Sequence, residues 1–190
     1  IKFFFSKLFR KFLFLQKVEQ FKYKGKWKVF LYKDKNNFKQ IDDTPDSYLA
    51  DPFLISSNQK KYLFCEDFNY SENIGKISSF QIYKKGLRKY ANVLKNKKHL
   101  SFPFIFKYKK NILMCPESGS YNDIRIYEST NFPNRWKFKK TIIKGISAAD
   151  SIIFYKNKYW WLITSINLNT NSSFQNYIMI FYSKNIFSKN

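Results

Sequence analysis

The chain has 190 residues, 44% of them hydrophobic and 21% aromatic, which suits one domain with a substantial core and excludes a disordered segment. Its net charge of +22 alone would predict attraction to nucleic acid or anionic lipid. Only four of the 35 basic residues are arginine, however, and arginine makes the bidentate contacts that read bases. We therefore interpret the lysine excess as compositional bias and do not expect a nucleic-acid partner. A basic surface that binds nucleic acid or anionic membrane stays as an alternative.

The N-terminal segment, residues 1–24, is rich in Phe and Leu but is interrupted by cations. Phe5, Leu8, Phe9 and Phe12 recur at a spacing of three to four, which predicts a short amphipathic helix. No apolar run approaches the ~20 residues that cross a bilayer. Residues 1–16 could contact a membrane surface, but we favour packing on a neighbouring domain. Since the chain begins with Ile, we expect this segment to be a helix or linker from a missing upstream region.

From residue 25 onward the apolar residues alternate with a period near two, which predicts strands. Three segments repeat one pattern of apolar strand, polar turn and second apolar strand. They begin at Asp51-Pro52, Phe102-Pro103 and Asp150-Ser151. Pro52 and Pro103 are 51 residues apart, and Ser151 follows 48 residues later. A repeat of about fifty residues with several strands per unit is typical of a propeller blade.

The predicted fold is therefore an all-β propeller, occupying residues 25–190 in incomplete form. We expect blades at about 48–97, 98–146 and 147–190, with one leading strand before them. In the first unit the third and fourth strands are predicted at residues 76–83 and 90–94, and in the second at residues 124–128 and 136–143. In the third unit a third strand is predicted from Tyr177, and no fourth is predicted. About four blades are the minimum for a closed ring, so we expect the chain to be a piece of a longer protein.

Acidic residues are rare in this chain, 13 in all, yet four of them flank the repeated strands. Asp51 and Asp150 hold the same repeat position, and Glu66 and Glu117 end equivalent second strands. Carboxylates from different blades that meet at a channel mouth provide the pair needed for glycoside hydrolysis. The competing interpretation is that each carboxylate caps backbone N–H groups. Because all four lie at repeat positions, we favour a site.

Three further residues are candidates for substrate binding beside Glu66. His99, the single histidine, precedes the inner strand of the second unit. Trp160 could stack on a sugar, although core packing is the usual role of such a residue. Arg125 could bind an acidic group or be an ordinary surface residue. The sequence has neither a nucleotide-binding glycine loop nor Cys/His spacing typical of zinc, so we expect no cofactor and no metal.

The ordered set of short motifs resembles one known family. These motifs are Ala50-Asp-Pro-Phe, His99-Leu-Ser-Phe-Pro-Phe, Cys115-Pro-Glu-Ser, Ile124-Arg-Ile-Tyr, Phe132-Pro-Asn-Arg-Trp and Ala148-Ala-Asp-Ser-Ile-Ile-Phe. Over roughly residues 26–185 they resemble the N-terminal propeller domain of glucosamine inositolphosphorylceramide transferase-like proteins. That domain is similar to the five-bladed arabinanase/levansucrase/invertase superfamily, which includes family 43 glycoside hydrolases. The resemblance implies that the propeller is of the five-bladed type. It also implies that the propeller is joined to a glycosyltransferase in plants, and to formyltransferase-like or sugar-modifying modules in bacteria.

The family 43 pattern implies a general base at Asp51, but its acid and modulator fall here in exchanged blades, as Glu117 and Asp150. The resemblance therefore supports the fold more than hydrolysis. We expect a domain that recognises or processes a glycan within a glycosyltransferase or polysaccharide-modifying protein. A non-catalytic glycan-binding or scaffold module is the alternative. The sequence names no compartment, although a cytoplasmic location is favoured.

Overall fold

The structure is a computed structural model that describes residues 27–34, 37–41, 44–84, 86–167 and 177–188. The helix predicted within residues 1–24 lies outside the described residues. Within them the prediction of an all-β fold is confirmed: the chain forms strands and one short 3₁₀ turn at Gly119–Tyr121. No helix in these ranges is long and apolar enough to span a membrane.

The strands form a leading hairpin and three antiparallel sheets, each built from consecutive strands. The hairpin contains β1 (Phe30–Asp34) and β2 (Asn37–Gln40). Sheet 1 contains β3 (Ser47–Ser57), β4 (Lys60–Asn69), β5 (Ile74–Tyr83) and β6 (Gly86–Leu94). Sheet 2 contains β7 (Ser101–Tyr108), β8 (Asn111–Glu117), β9 (Asp123–Asn131) and β10 (Arg135–Lys144). Sheet 3 contains β11 (Ser147–Lys156), β12 (Tyr159–Asn167) and β13 (Tyr177–Ser183).

Each sheet packs face to face against the next one along the chain. The side chains of the second strands point alternately to the two faces, so one strand contributes to two cores. In β4, Phe64 points into a core shared with sheet 2, whereas Leu63 and Cys65 point into a core shared with the leading hairpin. In β8, Met114 joins the core with sheet 1, and Leu113 faces sheet 3. Because successive side chains of a strand point to opposite faces, a strand covered on both sides reads as a continuous apolar run.

One β-bulge occurs at the same place in the first strand of each sheet. The pairing shifts between Ala50 and Phe53, between Ser101 and Phe104, and between Ala149 and Ile152. The first extra residue of each bulge has a positive φ: 48° at Asp51, 43° at Phe102 and 53° at Asp150. Few residues other than glycine adopt this left-handed region, and phenylalanine does so at a cost. The repeat therefore fixes the backbone at the positions that carry the candidate aspartates.

The division into blades at 48–97, 98–146 and 147–190 stays a prediction, as does the number of blades in a complete ring. The strands themselves agree with the pattern. The segments predicted as third and fourth strands of the first two units lie within β5, β6, β9 and β10. The predicted strand beginning at Tyr177 is β13.

Candidate functional site

The four predicted carboxylates occupy two sets of equivalent positions in the sheets. Asp51 and Asp150 are the first bulge residues of β3 and β11. Glu66 pairs with Ala50, directly before the bulge of sheet 1, and Glu117 pairs with Ser101, directly before that of sheet 2. Bulges redirect side chains, so these equivalent positions place carboxyl groups from three sheets close enough for their charges to interact. We call Asp51, Glu66, Glu117 and Asp150 the carboxylate cluster.

Glu66 is the most deeply buried member, with its side chain only 7% exposed. Burial, the charges of Asp51 and Glu117, and a hydrogen bond with the Asp51 carboxyl raise the pKa of Glu66 to about 8. Oε1 of Glu66 is buried and has no hydrogen-bond partner among the described residues. A buried carboxyl without cationic compensation favours its neutral form, so Glu66 holds a proton near neutral pH.

His99 and Gly75 hold Glu66 from the side. The backbone N–H of Gly75 donates to Nδ1 of His99 at 2.9 Å, so the proton of the neutral imidazole lies on Nε2. Nε2 is 3.4 Å from Oε1 of Glu66, too poorly aligned to count as a hydrogen bond. Burial lowers the pKa of His99, partly opposed by the charge of Asp51. The imidazole is therefore neutral and supplies no positive charge to Glu66.

Gly75 is required by the close approach of its neighbours. A Cβ built at this position would lie 2.7 Å from Oε1 of Glu66, from Cε1 of His99 and from the carbonyl oxygen of Leu100. Real Cβ atoms do not approach other atoms so closely, so any side chain here must displace the carboxyl or the ring. Leu100 also donates its N–H to the Gly75 carbonyl at 3.0 Å.

Glu117 is half-buried and lies against sheet 3. Burial and the charge of Asp150 raise the pKa of Glu117 to about 7, and Asp51 adds to the rise. Hydrogen bonds from the Asp150 backbone N–H and the Ser101 hydroxyl oppose it, because both donors stabilise the ionised form. Burial and the charge of Asp51 raise the pKa of Asp150 as well. The titrations of Glu66, Glu117 and Asp150 are thus coupled through the charges of neighbouring carboxyl groups.

The four side chains of the cluster differ in their exposure to solvent. Glu66 is buried, Asp51 and Glu117 are half-buried, and Asp150 is exposed. Asp51 is anchored, since its Oδ2 accepts the backbone N–H of Phe102 at 3.1 Å. Within the described residues, lysine and arginine form their ion pairs with other acids, namely Glu72, Asp67, Asp123 and Glu128.

The structure does not bring Arg125 to the carboxylates. Its Nε donates to both carboxylate oxygens of Asp123, at 2.8 and 2.9 Å. The guanidinium carbon also lies 3.6 Å from the ring centroid of Tyr121, a cation–π distance. These local contacts account for Arg125 without a ligand.

Trp160 lies at the other end of β12 from Ser165, the residue that corresponds in register to Glu66 and Glu117. Five residues along a strand separate the two positions by about 16 Å. The Trp160 ring packs near Tyr108 and Tyr155, with centroids 5.5 and 5.2 Å away. It also lines a mostly apolar cavity of about 270 Å³ that β10 and β13 border. Its position is thus that of a packing residue.

Sequence reasoning missed two residues that shape the site. Nothing in the chain marks Gly75, because its contact with Glu66 depends on how sheet 1 folds onto the segment before β7. Ser101 did carry a signal, since it occupies the same repeat position as Ala50 and Ala149 while being polar. No group of three or more His, Cys, Asp or Glu side chains in the described ranges is arranged to hold a metal ion.

Comparison with solved structures supports the fold. The catalytic domain of the GH62 α-L-arabinofuranosidase from Coprinopsis cinerea matches with a TM-score of 0.53 and 10% identity, covering 72% of this chain and 46% of that one. The GH32 β-fructofuranosidase of Bombyx mori matches with a TM-score of 0.56 and 14% identity, covering 73% of this chain and 34% of that one. At such low identity the likeness concerns architecture alone, and these folds are propeller-like.

Sequence comparison identifies relatives. Glucosamine inositolphosphorylceramide transferase 1 of Arabidopsis thaliana is 34% identical over 141 residues, which are 73% of this chain and 18% of the relative. The protein of the same name from Oryza sativa subsp. indica is 32% identical over 123 residues, 64% of this chain and 16% of the relative. The chain thus spans less than a fifth of the length of these relatives.

The profile of one family matches residues 36–190, which include all three sheets and the whole carboxylate cluster. It is described as the N-terminal region of glucosamine inositolphosphorylceramide transferase 1, in agreement with the relatives. The resemblance inferred from the short motifs is confirmed, and the chain belongs to this family of N-terminal domains.

Proposed function

We propose that this domain recognises a glycan at the carboxylate cluster, as one part of a longer sugar-transferring protein. The observation that carries the proposal is the meeting of Asp51, Glu66, Glu117 and Asp150 from three sheets. Ionised carboxylates accept hydrogen bonds from sugar hydroxyls, and protonated carboxyls donate them. Membership of a family named after a glycosyltransferase supports the same class of ligand.

Of the three other residues predicted to bind substrate, only His99 is included in the proposed site. His99 lies beside Glu66, so its Nε2–H is available to a ligand that enters the cluster. Arg125 and Trp160 are engaged elsewhere and are not part of the proposed site. The proposal also includes a ring of five blades in the complete propeller, and a role for this domain as the glycan-recognising part of the whole protein.

A glycan array probed with the chain tests this function. We expect binding to a restricted set of glycans. We expect Glu117→Gln and Asp150→Asn each to reduce this binding, because the amide replaces one of the two carboxyl oxygens with an N–H donor and cannot carry a negative charge. Glu72→Gln is the matched control, since it also removes one negative charge but lies on an exposed turn. Binding to no glycan, or equal binding by all four proteins, would refute the proposal.

Hydrolysis is a second candidate, favoured by the electrostatics of Glu117. A carboxyl with a pKa of about 7 suits a general acid, and Asp51 would then act as base with Asp150 as modulator. Carboxyl separations of ~5–9.5 Å are expected for such a pair. The test is release of reducing sugar from glycans that bind. Release that Asp51→Asn abolishes supports hydrolysis, whereas binding without release, or release that survives the change, excludes it.

A further inference from the structure

We propose that the three sheets dock on an anionic lipid bilayer through the end that lies opposite the carboxylate cluster. This inference concerns a different surface from the proposed glycan site and does not depend on it. It rests on the way in which the topology of the sheets separates positive from negative side chains.

The strand order places one turn of each sheet far from the cluster. The first strand of a sheet runs from near its bulge away from the cluster, so the turn into the second strand lies at the far end. Glu66 lies six residues after the first residue of β4, which corresponds to about 20 Å. The far ends of neighbouring sheets lie side by side, since ring centroids are 4.8 Å apart for Tyr62 and Phe132 and 5.5 Å apart for Tyr108 and Trp160.

This far end is strongly basic, and we call it the basic end. Its cationic side chains are all exposed, and none of them forms an ion pair within the described ranges. Glu128, the acid nearest to this end along β9, is already bound by Lys139 at 2.7 Å. The described residues of the turns at this end include no Asp or Glu. The cations that define the basic end are Lys60, Lys61, Lys84, Lys107, Lys109, Lys110, Arg135, Lys156, Lys158 and Lys184.

The acids lie toward the carboxylate cluster instead. A compositional bias raises the number of lysines but does not sort charges between two ends, so the separation is a property of the fold. The distance of about 20 Å is more than twice the Debye length of ~8 Å at physiological salt, so the acids do not neutralise the basic end. Apart from Glu128, the described acids in and beside the three sheets are Asp46, Asp51, Glu66, Asp67, Glu72, Glu117, Asp123 and Asp150.

The residue types at the basic end favour a bilayer over a nucleic acid. Arg135 is the single arginine there, whereas base recognition relies on bidentate arginine contacts. Tyr83 and Tyr155 lie beside the lysines and are 47% and 57% exposed. Tyrosine rings are enriched at the level of the lipid headgroups, where flexible lysine side chains also reach the anionic groups. Clusters of about four to eight cations attract anionic lipids, and docking in this way holds the carboxylate cluster about 20 Å from the headgroups.

Co-sedimentation of the chain with lipid vesicles tests the proposal. One set of vesicles contains phosphatidylcholine with about 30 mol% phosphatidylserine, and the other contains phosphatidylcholine alone. We expect the chain to bind the anionic vesicles about tenfold or more tightly than the neutral ones at about 0.1 M salt, because the unpaired cations gain partners only on the anionic surface.

Two double variants that lose the same charge assign the binding to one end. Lys107→Gln with Lys110→Gln should weaken binding to anionic vesicles by about tenfold or more, because one cation near such a surface contributes about fivefold. Lys97→Gln with Lys144→Gln is the control, since both of these lysines are exposed and lie at the cluster end. We expect the control to change the affinity by less than about twofold, with both variants folded by circular dichroism.

Three results would overturn the inference. The first is equal binding of the parent chain to both kinds of vesicle. The second is equal binding by the two double variants, which would place the contact elsewhere in the chain or make it a non-specific effect of net charge. The third is tighter binding to duplex DNA than to anionic vesicles at the same phosphate concentration, which would assign the basic end to a nucleic acid. None of these results bears on the glycan array, so the proposed function is tested separately.

Discussion

Asp51 accepts a hydrogen bond through its carboxylate from the backbone N–H of Phe102, a residue that lies 51 positions later and holds the same bulge position in the next sheet. One repeat unit is thereby joined to its neighbour at the point where the two bulges meet. The same carboxylate raises the pKa of Glu66, Glu117 and Asp150. Asp51 thus links the architecture of the repeat to the electrostatics of the site.

Substitution of Asp51 should separate its structural role from its charge. Asp51→Asn keeps an acceptor for Phe102 and a residue type that tolerates positive φ, whereas Asp51→Ala keeps neither. We expect the free energy of unfolding of Asp51→Ala to be roughly 1–3 kcal/mol below that of Asp51→Asn. Urea denaturation followed by tryptophan fluorescence measures the difference, and equal stabilities would show that the contact between sheets contributes little.

Gly75→Ala should damage the site directly. The added methyl group would lie 2.7 Å from Oε1 of Glu66 and from Cε1 of His99, so one of the two must move. We expect a loss of about 1–3 kcal/mol in the free energy of unfolding, as for overpacking in other cores. Gly86→Ala is the control, because a Cβ there meets nothing within 4 Å. If both variants unfold at the same urea concentration, the packing around Gly75 is looser than described.

The stability of the domain should fall as pH rises from about 5 to 8. In the folded state Glu66 keeps its proton up to a pKa of about 8 and Glu117 up to about 7, while in the unfolded chain both release it near the ordinary value of 4.5. The unfolded state therefore binds fewer protons in this window, and each group lowers the free energy of unfolding by up to about 1.4 kcal/mol per pH unit.

Glu66→Gln should remove part of this slope and make the protein more stable than the parent at pH 8, since no buried charge has to form. Glu72→Gln should leave the slope unchanged, because the pKa of Glu72 is lowered by Lys76 and the group stays ionised throughout. Thermal unfolding at a series of pH values provides the comparison. A parent protein whose stability rises from pH 5 to 8 contradicts the assignment of raised pKa values.

Trp160 should matter for stability and not for glycan binding. Its ring packs against Tyr108 and Phe106 between sheets 2 and 3, so Trp160→Ala should lower the free energy of unfolding by about 2 kcal/mol or more. The affinity for a glycan found on the array should stay within about twofold at a temperature where the variant is folded. A large loss of glycan affinity in a folded Trp160→Ala variant would show that Trp160 takes part in binding.

The sequence predicted the fold class because a pattern of apolar strand, polar turn and second apolar strand recurs about every fifty residues, and β4 and β8 are second strands of that pattern. It also identified the equivalence of Asp51 with Asp150 and of Glu66 with Glu117, since residues at one repeat position share one place in the sheet. It could not locate side chains whose direction depends on neighbours distant in the chain. Arg125 turns toward Asp123, and Trp160 lies at the far end of its strand.

The contact between Gly75 and His99 could not be predicted from the sequence either. The two residues are 24 positions apart, and no local pattern specifies that they meet. The positive φ of Phe102 is also unexpected, because phenylalanine has no intrinsic preference for that region. It follows instead from the bulge that all three sheets share, which constrains the backbone more strongly than the residue type does.

The coupling of carboxyl groups from different sheets is the central claim, and ¹³C NMR titration of the side-chain carboxyls of Glu66 and Glu117 tests it most directly. The structure predicts midpoints near 8 for Glu66 and near 7 for Glu117, with Asp150→Asn lowering the midpoint of Glu117 because a neighbouring negative charge is removed. Midpoints near 4.5 for both groups, insensitive to Asp150→Asn, would contradict the claim.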